Sequence, residues 1–211
     1  MENLRISRID KTNFESHHDD LLTICRAAEL DSHPMAKNYV LDNWENNPAS
    51  LLYLITKSKR YDHGCFFMLY YHDEPIAVSG CYQSDWSSMV MILGSRTYTV
   101  PSQRTDWWHS KYLLPQQQDY AESHGYRVTL MSFENDSDIL FQFIDRITKK
   151  KTVVLGHRNP DFYHKFQSVP GKFMIKNTAQ KIVVSLIGDT SLEDFYRYYK
   201  PPEFKDVSIM G

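Results

Sequence analysis

A mixed α/β (α+β) fold is predicted for this 211-residue chain by three features of the sequence. Helical periodicity runs through the N-terminal part as far as Ile55, strand periodicity takes over at Cys65, and Met89–Phe133 reads as strand, polar loop, helix, strand. A strand returning after a helical crossover lies parallel to the strand that entered it. The N-terminus of such a helix carries unpaired backbone N–H groups, the usual seat of a phosphate.

Leu4, Ile6 and Ile9 suggest an opening strand. Leu21, Ile24, Cys25 and Ala28 fall on one face of a first helix, and Asp19 and Asp20 at its start suit the positive end of the helix dipole. A second helical region is expected from Met35 to Trp44. Asn47-Pro48 resembles an N-cap followed by proline in the first turn of a third helix, with Leu51, Leu52 and Ile55 inward. CFFMLYY, IAVSGCYQ and MVMILGSRTYTV then make an antiparallel meander, turning at His72-Asp73-Glu74-Pro75 and near Ser84-Asp85.

The last of these strands enters PSQRTDWW and a helix in which Leu113, Tyr120, Ala121 and His124 recur at helical spacing. Pro115 must kink or restart that helix, and Gly125 closes it. YRVTLMSF is the next strand. Asn135-Asp136-Ser137 can cap a further helix with the stripe Ile139, Leu140, Phe143, Ile144 and Ile147. TVVL, an aromatic segment FYHKF, a terminal hairpin of KFMI and KIVVSLI, and a last short helix through Leu192, Phe195 and Tyr199 complete the chain. A single domain spanning residues 1–211 is expected, since no linker or repeat interrupts it.

An apolar fraction of 42% and an aromatic fraction of 14% supply a sizeable core. Lys+Arg at 24 against Asp+Glu at 26 leave a net charge of -2, which argues against nucleic acid or an anionic membrane as partner. Cys25, Cys65 and Cys81 lack CxxC spacing and read as buried thiols of a reducing compartment. The histidines lack ligand spacing, so no metal is expected. No secretory or membrane-spanning run is present, and a cytoplasmic location is expected.

In element order the chain resembles the GNAT family of N-acetyltransferases: an α-rich start, a meander, strand-loop-helix-strand, a further helix and a closing hairpin. The resemblance implies a mixed central sheet, with a splayed parallel pair formed by MVMILGSRTYTV and YRVTLMSF. Tyr98 and Tyr126 would lie on these neighbouring strands, which part at one end to admit acyl-CoA. The family's phosphate loop, Q/R-x-x-G-x-G/A, corresponds to Val100–His109. Starting the motif at Arg104 places Trp107 and His109 at its small-residue positions, and starting at Gln103 places Asp106 and Trp108 there. Neither register keeps a glycine, although the backbone must approach the pyrophosphate closely.

Val100, Arg104, Thr105, Asp106, Trp107 and Trp108, with Tyr98, are therefore the expected cofactor-binding set. An Asp106 carboxylate about 5 Å from a phosphate charge would oppose binding by roughly 3 kcal/mol at an effective dielectric of about 20. Alternatively Asp106 caps the helix. Trp107 and Trp108 diverge by about 100° on a helix, so at most one can stack on an adenine or a planar substrate. Asn135 stands where the family places a cofactor-holding asparagine, but Gln142 occupies the position of its acidic tyrosine. Tyr163 is the candidate replacement for that acid, and Glu134 the candidate general base, with Asp85 and His109 as alternatives. Backbone N–H groups near Val100 would polarise the thioester.

Two functions are compatible with these residues. One is transfer of an acetyl or other acyl group from acyl-CoA, with acetyl-CoA as co-substrate, to a small-molecule or peptide amine, by a monomer or homodimer. The other is a catalytically inactive GNAT-like binding module whose Trp107-Trp108 face serves a partner.

Overall fold

The computed structural model describes residues 3–31, 39, 41–106, 108–133, 153–158, 180–202 and 204–210. Packing divides the chain into two compact units, Met1–Gln83 with Gly94–Gln117, and Ser84–Leu93 with Gln118–Gly211.

In the first unit, β1 (Leu4–Ile9) pairs antiparallel with β2 (Gly64–Tyr71), from Leu4↔Tyr71 to Ile9↔Phe66. β2 pairs antiparallel with β3 (Glu74–Gln83), with Cys65 opposite Cys81. Two residues suffice for the hairpin: His72 and Asp73 have φ of 50° and 63°, the left-handed pair that a tight hairpin turn requires. The turn is therefore shorter than the four residues predicted, and Glu74 and Pro75 already belong to β3. β4 (Val90–Thr99) follows as the neighbour of β3.

α1 (His18–Glu29) buries Leu21, Ile24, Cys25 and Ala28, the four residues of the predicted stripe. With Leu51, Leu52, Ile55, Phe66, Met68 and Val78 they form the core of this unit. Burying each large apolar side chain contributes about 1.5–3 kcal/mol.

Of the predicted second helical region, residues 35–38 and 40 lie outside the described residues, and a single 3-10 turn, Trp44–Asn46, is seen at its end. The third helix, α2 (Leu51–Thr56), begins later than predicted. Asn47 accepts the Ala49 N–H on its side chain and the Ser50 N–H on its carbonyl, which makes a turn rather than a cap. Ser50, extended at φ -65° and ψ 141°, is the true N-cap residue.

After β4 the backbone forms a 3-10 turn, Pro101–Asp106, then a π turn, His109–Leu113, and then α3 (Leu114–Ser123). Pro115 does not restart the helix: Trp108 and Leu114 are both right-handed helical and the π turn runs directly into α3, so the missing N–H is accommodated by a π-bulge within one continuous helical stretch.

In the second unit, Gly125 at φ 78° ends α3, and Tyr126 N–H bonds back to Ala121 O at 3.0 Å. β5 (Val128–Phe133) runs parallel to β4 through Val90↔Val128, Met91↔Thr129 and Ile92↔Leu130. β6 (Val153–Arg158) and β7 (Gln180–Leu186) pair antiparallel, and β7 also pairs with β5. KIVVSLI thus gains two partners, while KFMI lies outside the described residues. So does the capped helix expected after Asn135.

The short final helix is present. α4 (Leu192–Asp194) is closed by a capping box between Ser191 and Asp194 and continues as a π turn, Phe195–Tyr199. β8 (Lys205–Met210), paired with β6, is an element the sequence patterns did not reveal. Val90, Val128, Leu130, Ile182, Val184 and Phe195 centre the core of this unit.

Candidate active site

The candidate site in the first unit begins where β4 leaves regular geometry. Gly94 has φ 70° and Arg96 φ 52°, two left-handed residues within three. Glycine adopts that conformation freely, whereas for arginine it costs roughly 1–2 kcal/mol. The surroundings hold each residue of this bulge. Gln117 of α3, fully buried, accepts the Gly94 N–H on Oε1 at 2.8 Å. The Thr97 hydroxyl donates to Gly94 O at 2.9 Å and meets Ser79 Oγ at 2.7 Å. Ser95 Oγ bonds the Tyr61 hydroxyl, and the Tyr39 hydroxyl donates to Arg96 O, both at 2.5 Å.

Burial raises the Tyr39 and Tyr61 phenols well above their ordinary range, and the Arg96 charge offsets part of that rise. Both hydroxyls are neutral at any physiological pH.

Three residues beyond Arg96 the strand ends and the loop resembling a phosphate loop begins. Arg104 donates from Nε to Thr99 O at 3.1 Å, and its guanidinium forms an ion pair with Asp31. Asp31 also accepts the Tyr98 hydroxyl at 3.1 Å, and the guanidinium carbon lies 5.5 Å from the Tyr98 ring centroid. Burial first, and the Asp31 carboxylate second, push the Tyr98 phenol up to about 12. Tyr98 and Arg104 thus meet around a carboxylate that sequence reasoning missed. No motif marks Asp31: it follows α1, far from the loop in sequence.

In the stretch expected to polarise the thioester carbonyl, the Val100 N–H donates to Ile76 O at 2.9 Å and is already used in the sheet. Trp108 packs between tyrosines, with ring centroids 5.5 Å from Tyr112 and 5.8 Å from Tyr71, and its buried Nε1 has no hydrogen-bond partner among the described residues.

His109 Nε2 lies 3.4 Å from Thr97 Oγ1, under the bulge, and burial lowers its imidazole to about 4. The backbone of Thr105 and Asp106 completes the 3-10 turn. Their side chains, and Trp107, Glu134, Asn135, Gln142 and Tyr163, lie outside the described residues.

No family model matches the sequence, and no curated protein matches it. Solved structures do match in fold. Spermidine N-acetyltransferase from Vibrio cholerae, in complex with CoA and spermine, has a TM-score of 0.57 at 11% identity, over 88% of this chain and 96% of its own. An acetyltransferase of the GNAT family from Streptococcus pneumoniae gives 0.55 at 11% identity, over 88% and 99%. A ribosomal L7/L12 α-N-protein acetyltransferase in complex with coenzyme A gives 0.53 at 11% identity, over 89% and 96%.

Proposed function

We propose that this chain, whose fold is that of the GNAT acetyltransferases, transfers an acyl group from acyl-CoA to an amine. The observation that carries the proposal is the bulge in β4, left-handed at Gly94 and Arg96 and followed directly by the loop that presents Arg104. A bulge bends its strand and re-aims the residues that follow it, and a cation on the adjoining loop suits a phosphate. In the reaction the amine nitrogen attacks the thioester carbonyl, the C–N bond forms, the C–S bond breaks, and CoA leaves as a thiolate that takes up a proton. Glu134 as base, Tyr163 as acid and Asn135 as a cofactor contact belong to this proposal.

Thermal unfolding with acetyl-CoA tests it. A ligand at one hundred times its dissociation constant stabilises the native state by about 2.7 kcal/mol. The absence of any shift with acetyl-CoA and with longer acyl-CoAs would overturn the proposal in favour of a binding module. Three contacts favour that second reading: Arg104 is neutralised by Asp31, the Val100 N–H is committed to Ile76, and Trp108 is stacked on tyrosines.

A further inference from the structure

Arg96 occupies a position that glycine would fill without strain, as Gly94 does two residues earlier. A strained backbone persists where the surroundings over-determine it, and such residues concentrate where a side chain must be aimed. Here the surroundings are specific. The Tyr39 hydroxyl holds the Arg96 carbonyl, and Tyr61 holds the preceding residue through Ser95. The guanidinium therefore starts from a rigid base.

Arg96 is half-buried as a residue, and its guanidinium has no carboxylate partner among the described residues, whereas Arg104 has Asp31 and Arg127 has Asp189. The groups its charge reaches are the Tyr39 and Tyr61 phenols, which burial keeps neutral. A partly desolvated arginine among neutral hydroxyls attracts an anion and repels a second cation. Its planar fork matches a carboxylate with two parallel hydrogen bonds.

The two arginines of the site differ in setting. Arg104 stands on the loop after β4 and is already matched by an internal anion. Arg96 stands on the bulge itself, beside Tyr39 and Tyr61 from the N-terminal helical region.

Building on the acyltransferase reading, we infer that Arg96 binds a carboxylate of the acceptor, so that the substrate class is amines carrying a carboxylate, such as acidic amino acids or acidic peptide termini, and not polyamines. The same anion chemistry would also suit a phosphate of the donor, and the test separates the two.

Donor binding is first measured by thermal shift with acetyl-CoA. Release of the CoA thiol is then followed with L-aspartate, with L-asparaginamide, which has the same shape but no carboxylate, and with spermidine. A hydrogen bond to a charged group carries about 1.5–3 kcal/mol, so L-aspartate is expected to exceed both others in kcat/KM by about tenfold or more. Arg96→Gln is expected to raise the KM for L-aspartate by a similar factor and to leave the affinity for acetyl-CoA unchanged, with Arg96→Lys between the two.

Equal or better use of spermidine or L-asparaginamide, or no transfer to L-aspartate, overturns the assignment. Weakened acetyl-CoA binding in Arg96→Gln with an unchanged acceptor KM also overturns it, because the anion is then the donor's phosphate. If acetyl-CoA does not bind the wild type at all, the acyltransferase reading fails first and this inference with it. The comparison of acceptors on the wild type stands even if a variant misfolds.

Discussion

Asp31 and Arg104 form an ion pair whose carboxylate side chain is only 7% exposed while the guanidinium is 37% exposed. The pair fastens the residue that follows α1 to the loop that follows β4. On the proposed reading it also sets the charge that a ligand phosphate would meet, because the Arg104 cation is already neutralised from within.

Asp31→Asn is therefore expected to tighten acetyl-CoA binding by about tenfold, since the freed guanidinium can bond a phosphate oxygen without first giving up a carboxylate. Isothermal titration of wild type and variant measures this. Weaker binding in the variant would mean instead that Asp31 holds Arg104 in its binding orientation.

The same carboxylate shapes the alkaline stability of the protein. The Tyr98 phenol titrates at 10.0 when unperturbed and at about 12 in the fold, so between these values the folded state keeps a proton that the unfolded state has lost. Stability is then full below pH 10 and falls as pH rises toward 12. Tyr98→Phe is expected to flatten that part of the decline in denaturant unfolding curves collected across this range. An unchanged slope would assign it to the other buried phenols and thiols, Tyr39, Tyr61, Tyr70, Cys25 and Cys65.

His109 acts at the opposite end of the pH scale. Burial lowers its imidazole from 6.5 to about 4, so over that interval the unfolded chain binds a proton that the fold refuses. Its contribution to stability is present above pH 6.5 and lost as pH falls toward 4. An NMR titration is expected to find the His109 ring still neutral at pH 5.5, and His109→Gln is expected to lose less stability than wild type between pH 7 and pH 5. A ring titrating near 6.5 would contradict this.

Gln117 joins α3 to the bulge through the part-buried Gly94 N–H. Gln117→Leu keeps the volume and removes the acceptor, which costs about 1–3 kcal/mol, and it also removes the buried Nε2, which has no partner among the described residues and returns part of that cost. Chemical denaturation should show a loss toward the lower end of that range, together with faster exchange of the Gly94 amide. Unchanged exchange of that amide would mean that another group can satisfy this donor.

At Arg96 the expected sign is reversed. Glycine there removes a left-handed penalty of about 1–2 kcal/mol and adds about 0.5–1 kcal/mol of unfolded-state entropy. Arg96→Gly is therefore expected to leave stability unchanged or raise it by up to about 1.5 kcal/mol, while selectivity for carboxylate-bearing acceptors disappears. A clear loss of stability would show that the guanidinium supports the fold rather than a ligand.

What the sequence determined by itself was local in origin. The stripe of α1, the apolar runs of β2 and β3, the hairpin at His72-Asp73, the irregularity at Pro115 and the closure at Gly125 each depend on residues within a few positions, whose periods and backbone preferences act directly. Even the start of α2 was misplaced only because two local signals competed at Asn47 and Ser50. The tertiary structure alone decided which charges and donors are free. Arg104 meets a carboxylate 73 residues away, the Val100 N–H is taken by Ile76 of β3, Trp108 is sandwiched by Tyr71 and Tyr112, and β8 exists through its pairing with β6. Each of these depends on chain closure across many residues, and a hydrogen bond or ion pair leaves no periodic trace of its partner in sequence.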